Sequence, residues 1–457
     1  MGYGVSTLLQ GVVAFVSVPL LIGLLGGDAF ARWAILEPVL VLSAMCALLG
    51  ASHGHIRALA QEQATAAAVF RLQARHGVLP ALLVAVLVAS AALGYFEFER
   101  PWRIGALLVV YVMAEAVIAL AQAVARGESD AMTYAATVWL KFGSLAVLLV
   151  ALTSAGMRLS LEHYIGLLLA IDLVVIASIA WRQRRRAVRP APAYEGGVAF
   201  VAAVRYGAPI VGAAILGLIA TNGDRYVVNE LLQSSELARY VTMAKLASAI
   251  AFAAAPVNLW WPAARFRHAR DADGGSAFYR SASFVLLLYY LAALGVIWSL
   301  APAMMQTYAP GIGGYRHSVM LVLLSAAVAA AMVTPLNVGT LNQGKTHWAI
   351  WAVLVSALVS LASAIVLTPR LGMLGAAVGN LAGQCVNLLF IHLISQRIHP
   401  LAYRYFDLFA LLAGFGLATA ACLWLQAGPL SSCAVLLAYV GVAGLIGRRH
   451  LQSFLAK

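Results

Sequence analysis

Eight charged side chains sit inside stretches otherwise built mostly of Ala, Leu, Val and Ile: Glu37, Glu115, Lys141, Asp172, Asp224, Arg225, Glu230 and Lys245. A charge at the centre of a bilayer costs roughly 2.5–3.5 kcal/mol on insertion scales, so each of these needs a partner or a wet cavity. The chemistry open to such groups is ion pairing, proton exchange or the capture of a charged solute. Signatures of bond-making chemistry are missing from the sequence. It has no GxxxxGK[ST] loop for a nucleotide, no HExxH pair for zinc and no GxSxG elbow. The stretches between apolar runs reach roughly 25 residues, too few to fold a soluble catalytic domain. Neither cofactor nor metal is expected, and the chain reads as a non-enzyme.

Asp224 and Arg225 follow Thr221-Asn-Gly and place both signs in one predicted helix. Neighbouring residues diverge by about 100° around a helix, so the two cannot point the same way, and at least one reaches another helix or a cavity. Lys245 lies at a similar depth in the next predicted helix. Arg225 and Lys245 are either contacts for an anionic solute or structural partners of Asp224. Glu115 and Lys141 fall near the middle of adjacent antiparallel helices and can neutralise each other; Lys141 is otherwise a third cation for the same solute. Asp172 stands alone in its helix, as a proton-linked group or a hydrogen-bonded one. Glu37 precedes Pro38, where it can manage carbonyls freed by a kink. Asn380, Gln384 and Asn387 share one helical face, as glue between helices or as a cavity wall. His53, His55 and His317 form no ligand set, and His392 lies on the same predicted helix as Asn380.

These groups must be positioned by elements that lipid tolerates. Of 457 residues 63% are hydrophobic and 10% charged, against about a quarter charged in soluble domains. Only helices and closed barrels span a bilayer, and the apolar runs are long and do not alternate with period two. The chain is therefore read as an all-α polytopic membrane protein of about 14 helices. Spans are predicted at 4–25, 32–52, 77–96, 103–124, 131–153, 161–181, 207–231, 236–260, 280–302, 314–337, 345–367, 372–396, 405–425 and 428–447. Met1 leads almost directly into the first run, which reads as a helix and not as a removable signal. Cys46, Cys385, Cys422 and Cys433 all lie in apolar runs and read as packing residues.

The net charge of +13 is a topology signal. Of the 30 Lys and Arg residues, 20 lie in one set of alternate loops and the C-terminal tail, 7 in the opposite loops and 3 inside helices. Positive residues favour the cytoplasmic side, so both termini are expected there, in a bacterial inner membrane, and no nucleic-acid partner is expected. The densest cluster, Arg182-Gln-Arg-Arg-Arg-Ala-Val-Arg189, reads as a topology anchor that can also meet anionic lipid, and Pro190-Ala-Pro-Ala193 as a loose linker.

An internal repeat divides the chain. Leu24-Leu-Gly-Gly-Asp-Ala-Phe-Ala-Arg-Trp33 aligns without gaps on Leu231-Leu-Gln-Ser-Ser-Glu-Leu-Ala-Arg-Tyr240, each just after the first helix of its half. The expected organisation is a first six-helix lobe over 1–190, a pseudo-repeated second lobe over 191–398, and two further helices with a tail over 399–457. Internal repeats of this kind are typical of secondary transporters.

Three stretches carry a resemblance. Arg205-Tyr-Gly-Ala-Pro through Thr221-Asn-Gly-Asp-Arg-Tyr-Val-Val228, continuing to Tyr240 and Met243-Ala-Lys-Leu-Ala247, resembles the polysaccharide-transporter family. Its members are lipid-linked oligosaccharide and O-antigen flippases of the multidrug/oligosaccharidyl-lipid/polysaccharide (MOP) exporter superfamily. Leu367-Thr-Pro-Arg-Leu-Gly-Met-Leu-Gly-Ala-Ala377 and the turn at Leu24 are similar to two of the family's short turns. The resemblance implies movement of an undecaprenyl-diphosphate-linked glycan between leaflets by alternating access. It implies a cationic cavity holding Arg225, Lys245 and Lys141, with Asp224, Asp172, Glu115 and Glu37 as coupling or pairing acids. Lipid, and other polysaccharide-assembly membrane proteins, are the partners it suggests. A cation-coupled drug exporter of the same superfamily and an intramembrane glycan polymerase or ligase are the competing readings.

Overall fold

The computed structural model describes residues 2–60, 63–185, 196–268, 273, 275–308, 312, 314–343, 345 and 347–455. Of the basic cluster, Arg186 and Arg189 lie outside the described residues, as does the Pro190 linker. Among the described residues every regular element is helical. In chain order these are α1 (Gly2–Leu25), α2 (Gly27–Ala47), α3 (Ala51–Ala60), α4 (Ala66–His76), α5 (Val78–Tyr95), α6 (Pro101–Gly127), α7 (Ala131–Ser154), α8 (Leu161–Arg185) and α9 (Gly197–Leu231). There follow α10 (Ser234–Ala247), α11 (Ile250–His268), α12 (Ser276–Tyr308), α13 (His317–Leu336), α14 (Val338–Asn342) and α15 (His347–Leu371). The last are α16 (Met373–Ile398), α17 (Tyr405–Trp424), α18 (Pro429–Ile446) and α19 (Arg448–Leu455).

Thirteen stretches are long and apolar enough to cross a membrane, and α1 adds a shorter one, Leu9–Leu25. The chain is a multi-pass membrane protein with the fourteen spans expected. Its outward side chains have the character lipid requires: Leu87 is 68% exposed, Phe409 68% and Leu417 74%. One departure from expectation is the loop after α2, which folds into α3 and α4. Thr65 caps α4 by accepting from the Ala68 amide, and buried His55 on α3 pairs with Gln73 on α4 at 3.3 Å.

The chain forms two compact units, Met1–Leu218 and Ile219–Lys457, and the boundary falls within α9. Several helix pairings recur in the two units. In the first, α2 packs on α5 and α6, α5 on α6, α6 on α8, and α7 on α8. In the second, α10 and α11 pack on α12 and α13, α12 on α13, α13 on α16, and α15 on α16. Beyond these pairings, α17, α18 and α19 pack against α12.

The α15–α16 hairpin shows how two spans associate where lipid removes the hydrophobic drive between helices. Gly372, at φ +60°, makes the turn in a left-handed conformation that suits glycine. Gly375, Gly379 and Gly383 then recur every four residues along α16. A Cβ at Gly379 would lie 2.6 Å from the Ala364 amide nitrogen, and one at Gly383 would lie 2.5 Å from Ser360 Cβ. Backbone therefore rests on backbone, and Ser356 Oγ donates to the Gly383 carbonyl at 2.9 Å across the seam.

Candidate functional site: two buried polar centres

Among the described residues, each unit buries a polar centre within its spans. In the first, α6 supplies Tyr111 and Glu115 one turn apart, α7 supplies Lys141, and α8 supplies Asp172. The Tyr111 hydroxyl donates to Glu115 Oε1 at 2.7 Å, and Lys141 Nζ pairs with the same oxygen. The ammonium also pairs with Asp172 Oδ1 at 2.9 Å. Asp172 is fully buried, and among the described residues its oxygens meet no other donor. The Glu115–Lys141 pairing that their positions suggested is present. Asp172, which stood alone in the sequence, is the third member. Lys141 is 9% exposed and held by two carboxylates, so it is an ion-pair partner before it is anything else.

The second unit builds its centre around one acid. Asp224 on α9 is 2% exposed. Its Oδ2 accepts from the Tyr240 hydroxyl midway along α10 and from Asn380 Nδ2 on α16, the latter at 2.8 Å. Its Oδ1 accepts from the Arg225 amide at 2.9 Å. These three donors are neutral, and they converge on one buried carboxylate. Gln384, one turn beyond Asn380, reaches the Ala220 carbonyl at 3.5 Å. Two of the three polar residues on that face of α16 thus fasten it to α9, which is the glue reading of the stripe.

Arg225 and Lys245 are half-buried, on α9 and α10, in the same unit as this centre. Glu37 is half-buried on α2, one turn beyond Trp33, whose ring meets Tyr164 edge-on at 4.9 Å. Glu230 is exposed at the end of α9. His392 carries a structural load unrelated to either centre. Its ring nitrogens meet the Leu336 carbonyl at 3.1 Å and the Tyr405 hydroxyl at 2.9 Å, joining α13, α16 and α17.

The repeat also fixes an outer pair of contacts. Arg32 at the start of α2 donates to the Glu97 carbonyl at 2.8 Å, in the loop after α5. Arg239, its aligned counterpart on α10, donates to the Ile312 carbonyl at 3.0 Å, in the loop after α12. The identical arginines of the repeat do the same job in each unit.

Sequence reasoning missed Tyr111 as a donor, although its place one turn before Glu115 was the available signal. It also passed over the four-residue spacing of Gly375, Gly379 and Gly383, the small-residue signature of a close helix pair.

No protein-family profile and no curated protein sequence matches the chain. Solved structures do. An inward-facing multidrug resistance MATE family transporter of the MOP superfamily aligns with a TM-score of 0.63 and 16% identity, over 86% of this chain and 93% of that one. The lipid II flippase MurJ, in an inward closed conformation, aligns with a TM-score of 0.65 and 11% identity over 98% of both chains. An outward-facing MATE structure gives a TM-score of 0.52 at 14% identity, over 87% of this chain and 93% of that one. The chain has the fold shared by these MOP-superfamily transporters and this flippase.

Proposed function

We propose that this chain is a flippase that carries an undecaprenyl-diphosphate-linked oligosaccharide from the cytoplasmic to the periplasmic leaflet of a bacterial inner membrane by alternating access. O-antigen, exopolysaccharide or capsule repeat units are the cargo class. The observation that carries this reading is the alignment to a lipid-linked-substrate flippase over 98% of both chains. The MATE alignments leave about a seventh of this chain unmatched, roughly the length of the α17–α19 segment. The sequence resemblance around Asp224, Arg225 and Tyr240 points the same way.

A diphosphate needs charge-assisted donors in a place lipid and water both reach. Arg225 and Lys245, half-buried within spans of one unit, are the residues assigned to it. Lys141 is assigned to the Glu115–Asp172 centre. That centre holds one cation for two carboxyl groups, so a further proton balances its charge, and we assign it the coupling role. Asp224, satisfied by neutral donors, is given a positioning role beside Arg225. The distribution of Lys and Arg supports cytoplasmic termini, and contact with other polysaccharide-assembly proteins belongs to the same proposal.

Charge reversal by Arg225→Glu or Lys245→Glu is expected to abolish glycan export while the protein stays at normal level in the membrane. Unchanged export with either variant would overturn the assignment. A drug exporter is the second reading, favoured by the MATE alignment and by the two carboxylates of the first unit. Expression in a drug-sensitive host separates the two, since a flippase leaves drug tolerance unchanged.

A further inference from the structure

One cavity lies away from both polar centres, at an end of the second unit where α12, the start of α13 and the α17–α18 turn meet. Its volume is about 320 Å³, at the small end of the range of about 300–1,000 Å³ seen for ligand sites. Trp298, Pro302 and Cys422 give it apolar walls, and Ser299, His317 and Gln426 give it polar groups. Among the described residues its lining holds no Asp, Glu, Lys or Arg. The ligand it fits is therefore uncharged where it enters, with hydrogen-bonding atoms on an apolar frame.

Two features mark it as more than a packing gap. Ser283, Ser325, Thr307 and Thr419 each back-bond to a carbonyl of their own preceding turn, the usual arrangement for a hydroxyl in an apolar helix. Ser299 does not. The residue is 3% exposed and lines the cavity, and among the described residues its buried hydroxyl has no partner. An unsatisfied hydroxyl in such a place costs about 1–3 kcal/mol, which a ligand acceptor would recover. At the mouth, Gln426 sits at φ +49°, a left-handed conformation that a glutamine rarely adopts. That strained turn brings the Gln426 residue to the cavity edge.

The surroundings identify the occupant. Trp424 is 85% exposed, Leu425 66% and Leu430 80%, all on the turn that edges the cavity. Exposed aromatic and aliphatic residues at the ends of spans mark the boundary between hydrocarbon and head groups. Ester carbonyls of a glycerolipid lie at that depth, uncharged and accepting. We infer that this cavity is a lipid site in which Ser299 and Gln426 hydrogen-bond the glycerol-ester region of a membrane phospholipid, while Trp424, Leu425 and Leu430 meet its chains. The site stands apart from whatever cargo the two polar centres serve.

Native mass spectrometry of the full chain in detergent tests it, with diacyl phosphatidylethanolamine as the probe and its diether analogue, which lacks the carbonyls, as control. The wild-type chain is expected to retain one diacyl lipid more tightly than the diether by about fivefold to tenfold, the worth of one hydrogen bond. Ser299→Ala is expected to lower that preference, and Ser299→Ala/Gln426→Ala to bind both equally. Ala427→Leu, which narrows the cavity from its surface turn, is expected to weaken both lipids. Thermal melting without added lipid checks that each variant is folded. Equal retention of diacyl and diether lipid by the wild-type chain would overturn the inference. So would an ester preference undiminished by Ser299→Ala, or displacement of the lipid by a soluble sugar such as glucose, which would make the cavity a saccharide site.

Discussion

The last hairpin of the first unit, α7–α8, and its counterpart in the second, α15–α16, solve one problem in two ways. Apolar helices gain little from burying apolar surface when lipid is the alternative, so they need close packing or polar glue to associate. The α15–α16 pair uses packing, with Gly379 and Gly383 setting backbone against backbone. Gly143 and Gly166, on α7 and α8, have open space beside them. What bridges this hairpin is the Lys141–Asp172 ion pair, extended by Glu115 to α6. A glycine seam has one state, whereas an ionic centre with two acids and one base can change its proton count. The difference sets a close-packed hairpin against an ion-paired one.

The comparison breaks first at Lys141. Lys141→Met strands two carboxylates among apolar helices and is expected to cost about 3–5 kcal/mol, read as a lowered melting temperature in detergent. Replacing all three members, as Glu115→Gln/Lys141→Met/Asp172→Asn, is expected to restore most of that loss while ending any proton coupling. A Lys141→Met chain as stable as wild type would mean the centre is wet. Next, Tyr240→Phe removes one of three neutral donors from Asp224, and a loss of about 1.5–3 kcal/mol is expected. It would be smaller than that of Lys141→Met because two donors to Asp224 remain.

The packing contrast is sharpened by one substitution made twice. Gly379→Ala should destabilise by about 1–3 kcal/mol, since its methyl meets backbone that cannot yield. Gly143→Ala, with nothing within 4 Å of the added carbon, is expected to be neutral or to stabilise by up to about 1 kcal/mol through helix propensity. Equal melting temperatures for the two would remove the seam from the argument. The smallest effects are expected at the repeated arginines. Arg32→Met and Arg239→Met should each cost about 0.5–1.5 kcal/mol. Arg239 lies at the upper end because it also pairs with Glu236 at 2.6 Å.

Much of the fold was legible in the residues. Fourteen runs of apolar side chains named fourteen spans because lipid admits no unpaired backbone, and α3 and α4 were missed because short amphipathic helices in a loop carry no such constraint. The pairing of Glu115 with Lys141 followed from their shared depth in neighbouring spans. The membership of Asp172 did not, because only the packing of α6 on both α7 and α8 brings a third helix to the same point. Asn380 was visible as part of a polar face, but its partner lies 156 residues away in sequence.

The sequence by itself determined that the chain is an all-helical membrane protein of about fourteen spans. That follows from a local property, hydropathy, that acts residue by residue along the chain. That Asp172 joins the Glu115–Lys141 pair was decided by tertiary structure alone. A buried ion is stabilised only by groups within a few ångströms, and helix packing selects those from spans that the sequence leaves free to pair in many ways.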